Sequence, residues 1–154
     1  MHGQRRPPLA GGLILRHLGQ VYHCQGQFDQ AKQSLQQSLA IWRAFDDRHS
    51  EAVILDDLGA VLRDEGRHAE AEEMFLQSFA VFQEFRDRRK EGASLLNQAK
   101  LHALEGKTPS ALDLARQAVT VLEQTEDSWS IRQARAFVER YSAQQAEPAR
   151  VPQA

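Results

Sequence analysis

The chain has a single cysteine, Cys24, among its 154 residues. No intrachain disulfide framework is possible, and a reducing, cytoplasmic location is the expectation. Proline is scarce: Pro7, Pro8, Pro148 and Pro152 stand near the ends, and Pro109 stands at one helix start. The stretches between them are open to helix, because nothing there removes a backbone donor. No segment alternates apolar and polar residues between turn signals, so no strand is expected. No apolar run approaches the roughly 18 residues of a membrane span. Arg5-Arg6 leads into two prolines instead of an apolar stretch, which argues against a secretory signal. Neither sign of charge dominates: the net charge is -2 and the pI about 6.3. The field of the whole protein therefore gives no reason to expect a nucleic-acid partner.

Reactive constellations are missing too. The glycines are dispersed, so none builds a phosphate-binding loop. His17 and His23 are six apart and fall on different faces of a helix. His23 and Cys24 are adjacent, which does not converge their side chains on a metal. Asp56-Asp57 and Glu72-Glu73 are paired only in sequence; helical neighbours diverge by about 100° and cannot flank one substrate atom. No metal, no cofactor and no catalysis are expected.

What is present is a repeat. Leu18-Gly19 recurs as Leu58-Gly59 and, altered, as Gln98-Ala99. Gly26, Gly66 and Gly106 share that register, as do Ala31, Ala71 and Ala111, and Asp47, Asp87 and Asp127. A fixed period in the range of about 20–50 residues marks a solenoid, whose units bury their apolar faces on one another. Each unit splits at its glycine into two helices, A and B. Leu15, Leu18, Gly19 and Tyr22 follow steps of three and four, as do Ala31, Leu35, Ser38, Leu39 and Trp42. Gly26, Gly66 and Gly106 stand where an A helix stops. The three aspartates suit N-caps of the following A helices. Thr108-Pro109 reads as an N-cap followed by proline in the first turn. Gly19 and Gly59 lie inside helices, where glycine costs roughly 1 kcal/mol against alanine. Close approach of a neighbouring helix offsets that, so Leu18, Gly19, Ala31, Leu58, Gly59, Ala71, Ala99 and Ala111 are the expected repeat-packing residues.

The length suits one all-α domain. Residues 1–7 read as a disordered basic N-terminus and residues 8–143 as the solenoid. Within it, repeat 1 covers 8–46, repeat 2 covers 47–86 and repeat 3 covers 87–126. A capping helix over 127–143 carries Trp129, Ala134, Phe137, Val138 and Tyr141 at helical steps. Glu139 there takes the slot of Gly19, Gly59 and Ala99, and a carboxylate in the close-packing slot admits no further B helix. Gly11-Gly12 weakens the first A helix, and residues 144–154 read as a disordered tail.

The sequence Leu15-x-x-Leu18-Gly19-x-x-Tyr22 with Gly26, Phe28, Ala31 and Leu35 resembles the tetratricopeptide repeat. Leu55-x-x-Leu58-Gly59-x-x-Leu62 with Gly66, Ala71 and Phe75 resembles it again. The third copy keeps Leu95, Gly106 and Ala111. The 40-residue spacing exceeds the usual value of about 34. It is similar to the long-helix subtype of kinesin light chains and of multi-domain bacterial signalling regulators. The linkers Asp46–Ala52 and Arg86–Gly92 resemble that subtype as well.

The resemblance implies a protein or peptide partner held in the concave groove of the A helices. By position, the groove residues are Arg16, Gln20 and His23 in repeat 1. Asp56, Asp57, Arg63 and Asp64 follow in repeat 2, and Leu96, Asn97 and Lys100 in repeat 3. Such a groove is acidic at its centre and basic at its sides. The family's carboxylate clamp, carried over by position, needs cations or amides at Arg16, Gln20, Asp57, Ala93 and Asn97. Asp57 and Ala93 depart from it, so that specific function is not expected. The leading expectation is a non-catalytic interaction module without nucleic-acid or membrane partners. Its rival is a sensory fragment of a transcription regulator or signalling NTPase that answers to a small peptide or metabolite.

Overall fold

A computed structural model describes residues 9–146. Among the described residues there are seven helices and no strand. They are α1 (Leu9–Cys24), α2 (Phe28–Ala44), α3 (Arg48–Asp64), α4 (His68–Glu84), α5 (Arg88–Leu104), α6 (Thr108–Leu122) and α7 (Ser128–Ala146). Packing divides the chain into two compact units, parted between Arg86 and Asp87. Unit 1 holds α1 to α4 and unit 2 holds α5 to α7. The expected disordered segments at 1–7 and beyond 146 lie outside the described residues, and 144–146 continue α7.

The turns follow from local chemistry. Gly26 has φ +73°, a left-handed conformation that costs other residues a steric clash, and Gly66 and Gly106 repeat it. Asp47 accepts a hydrogen bond from the Ser50 backbone N–H at 3.0 Å. Asp87 does the same for Lys90 and Asp127 for Ser130. Every A-type helix from α3 onward thus starts on an aspartate cap. The B-type helices α2, α4 and α6 have no side-chain cap. The cap position of α6 is Lys107, so Thr108 is already inside the helix.

In unit 1, α2 supplies Ala31, Leu35, Leu39 and Trp42 to a cluster completed by Ile54, Leu58 and Val61 of α3. Each large aliphatic side chain buried in this way stabilises by roughly 1.5–3 kcal/mol. The in-helix glycines are where the helices close on each other. A Cβ added to Gly19 would lie 2.7 Å from Leu35, and one added to Gly59 would lie 2.6 Å from Phe75. Gly12, expected to weaken α1, is itself a packing position: its Cβ would lie 2.9 Å from the Trp42 indole. In unit 2, Gly92 stands in the same register and is covered by Leu122. Ala31, Ala71, Ala99 and Ala111 are buried, as is Leu58.

Leu18 departs from expectation, because its side chain is exposed although its register mate Leu58 is buried. α3 has α2 laid against that face, whereas the same face of α1 is uncovered. Trp129 departs as well. On α7 it lies roughly 140° around the helix from Ala134, the one fully buried residue there, and so it faces solvent. Phe137, Val138 and Tyr141 are half-buried, the rings of Phe137 and Tyr141 pack at 4.4 Å, and Glu139 is exposed. α7 packs on α6.

Candidate partner-binding surface

α1 and α3 lie side by side in unit 1. Their helical faces present charged residues to one another at an offset of 41, one more than the repeat. Arg16 donates from Nε to Asp57 Oδ2 at 2.6 Å. Two turns further on, His23 Nε2 lies 2.6 Å from Asp64 Oδ2. Arg63 also donates to Asp64, from Nε at 2.9 Å. Burial pushes the Asp64 carboxyl up, but the hydrogen bonds and charges of Arg63 and His23 outweigh it. Its pKa lies below the ordinary carboxylate value.

These contacts revise the expected charge pattern. The sequence-based reading gave each residue to a ligand and overlooked its lateral neighbour. Asp57 and Asp64 are compensated within the unit, so this face is not a run of open carboxylates. Asp56 is half-buried and accepts from the Ser78 hydroxyl at 3.2 Å, inside the α3–α4 pair.

Between the paired residues lies an open cleft of about 350 Å³. Gly19, Leu35 and Ala60 give it an apolar lining, and Gln20, His23, Cys24 and Asp57 give it polar edges. Leu35 packs over Gly19 at one side of it, and Ala60 adds only a short side chain. Three predicted residues, Gln20, His23 and Asp57, are brought together here. Cys24 is exposed.

Unit 2 has a cleft of its own, of about 240 Å³, between α5 and α7. Leu96 and Lys100, both predicted, meet Gln133, Ala136, Phe137 and Arg140 of α7. Asn97, half-buried on α5, is not among the lining residues. The α7 residues were missed because that helix was read only as a cap. The repeat itself carried the signal, since Ala136 and Arg140 stand 40 residues after Leu96 and Lys100. Arg140 also lies over the Tyr141 ring, 5.4 Å from its centroid.

The basic run at the start of α5 has structural partners. Asp87 caps the helix, Arg88 pairs with the buried Glu91 at 3.0 Å, and Arg89 pairs with Asp127 at 2.8 Å. Among the described residues, no three His, Cys, Asp or Glu side chains are grouped to hold a metal ion. No helix among them is long and apolar enough to cross a membrane.

Stacked helix pairs with small residues at each crossing define a helical-repeat protein. A family model described as Tetratricopeptide repeat matches residues 12–84 and again residues 50–124. Together these matches span well over half of the sequence, and the chain belongs to the tetratricopeptide repeat family. No curated protein matches it. Among solved structures, the crystal structure of BtubC (BKLC) from P. vanneervenii is similar, with a TM-score of 0.67. The match covers 93% of this chain and 68% of that one at 14% identity. At that identity the likeness shows the fold alone, an all-α solenoid. Repeats of this family generally mediate protein–protein interaction.

Proposed function

We propose that the chain is a non-catalytic interaction module that holds a peptide or helix of a partner protein on the A-helix face of unit 1. The cleft between α1 and α3 carries this reading. Its apolar lining of Gly19, Leu35 and Ala60 suits one aliphatic or aromatic side chain of a ligand. Gln20, at its edge, has both a donor and an acceptor to offer a peptide backbone. Sites of this kind, apolar within and polar at the edge, orient a ligand through a few hydrogen bonds.

The test is affinity capture from native lysate with the parent chain and with Ala60→Arg. The substitution fills the cleft while leaving Arg16, Asp57, His23 and Asp64 themselves unchanged. Partner bands should vanish from the variant while its helical circular dichroism stays unchanged. Capture of the same bands by both proteins sinks the reading.

A further inference from the structure

Ile14, Leu18 and Val21 of α1 stand 40 residues before Ile54, Leu58 and Val61 of α3, and the two trios are identical in residue type. Their surroundings are opposite. In α3 the three are 0%, 6% and 0% exposed; in α1 they are 65%, 38% and 51% exposed. Each trio falls within roughly 60° of arc on its helix, so each is a single apolar stripe. An apolar stripe of this size, uncovered on a folded unit, marks a surface that another surface covers.

The interface within unit 1 names the occupant. What covers Ile54, Leu58 and Val61 is α2, through Leu35, Leu39 and Trp42. A stripe of the same residues on the same kind of helix fits the same ridge. We propose that the outer face of α1 is a docking site for an amphipathic helix of a partner protein. That helix presents leucines and an aromatic residue on successive turns, as α2 does.

Two alternatives fit less well. A second copy stacked as a preceding repeat would bring its Arg16 and His23 to the positions where α3 offers Asp57 and Asp64. On α1 those positions hold His17 and Cys24, so neither cation would meet a carboxylate. The α2 ridge of such a copy is already covered by its own α3. Nor can the chain's outermost segments supply the ridge, since residues 1–8 and 147–154 contain only Met1 and Val151 as large apolar residues. The stripe shares no residue with the cleft of the proposed function, so the two surfaces stand or fall separately.

The probe is a fluorescein-labelled peptide with the sequence of residues 27–47. A staple across Gln33 and Gln37, both exposed in the chain, holds it helical. Without the staple, an isolated helix of this length is marginal in water. Fluorescence anisotropy against the full chain should show saturable binding. Ile14→Asp combined with Val21→Asp should weaken it at least tenfold, with the melting temperature of the chain unchanged because both side chains are exposed. A peptide carrying Leu35→Asp and Leu39→Asp should not bind. Absence of saturable binding, or binding that the double variant leaves intact, overturns the proposal. So does a dimer of the parent chain in sedimentation that the double variant dissolves, because the stripe would then be covered by a second copy.

Discussion

Units 1 and 2 fill the same crossing in opposite ways. In unit 1, Gly59 has no side chain and Phe75 covers it. In unit 2, the matching positions hold Ala99 and Ala115, and both are fully buried. A very small residue facing a very large one has been exchanged for two small ones. The second small-residue register varies in the same sense: Gly12 lies under Trp42, and Gly92 lies under Leu122. The repeat of this chain therefore fixes a space between helices, and residue identity follows from how that space is shared. The third copy looks degraded in sequence because its share differs, yet its helices form and pack.

The sharpest way to break this comparison is Gly59→Leu. Phe75 is fully buried and has nowhere to move. The substitution should cost about 3 kcal/mol, at the upper end of overpacking penalties. The midpoint and slope of a urea titration measure it. An unchanged midpoint would mean that the crossing is not closed.

A paired experiment tests the sharing of space directly. Gly59→Ala alone should cost about 1–3 kcal/mol, since its Cβ meets the Phe75 ring. Adding Phe75→Leu to it should recover part of that loss, although Phe75→Leu alone destabilises the parent. The coupling should reach about 1 kcal/mol, within the range for residues in direct contact. Additive costs would show that the two positions do not share one volume.

The caps sharpen the comparison from the other side, because there the two units agree. Asp47 in unit 1 and Asp87 in unit 2 accept the same backbone bond. Asp47→Ala and Asp87→Ala should each cost about 1 kcal/mol by denaturant unfolding. Clearly unequal costs would locate the difference between the units in their turns as well as in their crossings.

The smallest expected effect concerns acid. Asp64 belongs to unit 1 alone, since its register mate in unit 2 is Leu104. Its folded pKa is depressed, so its contribution is fully present above the unfolded carboxylate pKa and is lost as pH falls through the folded value. Asp64→Asn should therefore lower stability at neutral pH and flatten part of the acid limb below the ordinary carboxylate pKa. Parallel acid limbs for parent and variant would remove Asp64 from the account.

The helix ends were legible because single residues fix them. Gly26, Gly66 and Gly106 adopt positive φ, and Asp47, Asp87 and Asp127 each bond one backbone donor. Gly12 was read only as a weakness of its helix, and the packing role it shares with Gly92 was hidden because Ala52, between them, breaks the glycine period. Exposure of Leu18 was illegible because periodicity tells which face is apolar but not whether anything covers it. The cleft was partly legible. The register named Gln20, His23 and Asp57, but not the lateral bonds that Arg16 and His23 make. Those bonds need the 41-residue offset, which depends on how adjacent helices rotate against each other and not on the repeat length.

The two bonds between α1 and α3 also act as a detent. Arg16 and His23 are seven residues apart, as are Asp57 and Asp64, so the bonds lie roughly 10 Å apart along the helices. Apolar burial is non-directional, whereas each of these bonds holds at one register only. A slip of α1 by one turn, about 5.4 Å, would break both bonds at once. The pair of bonds therefore favours one register of α1 on α3 over its neighbours one turn away.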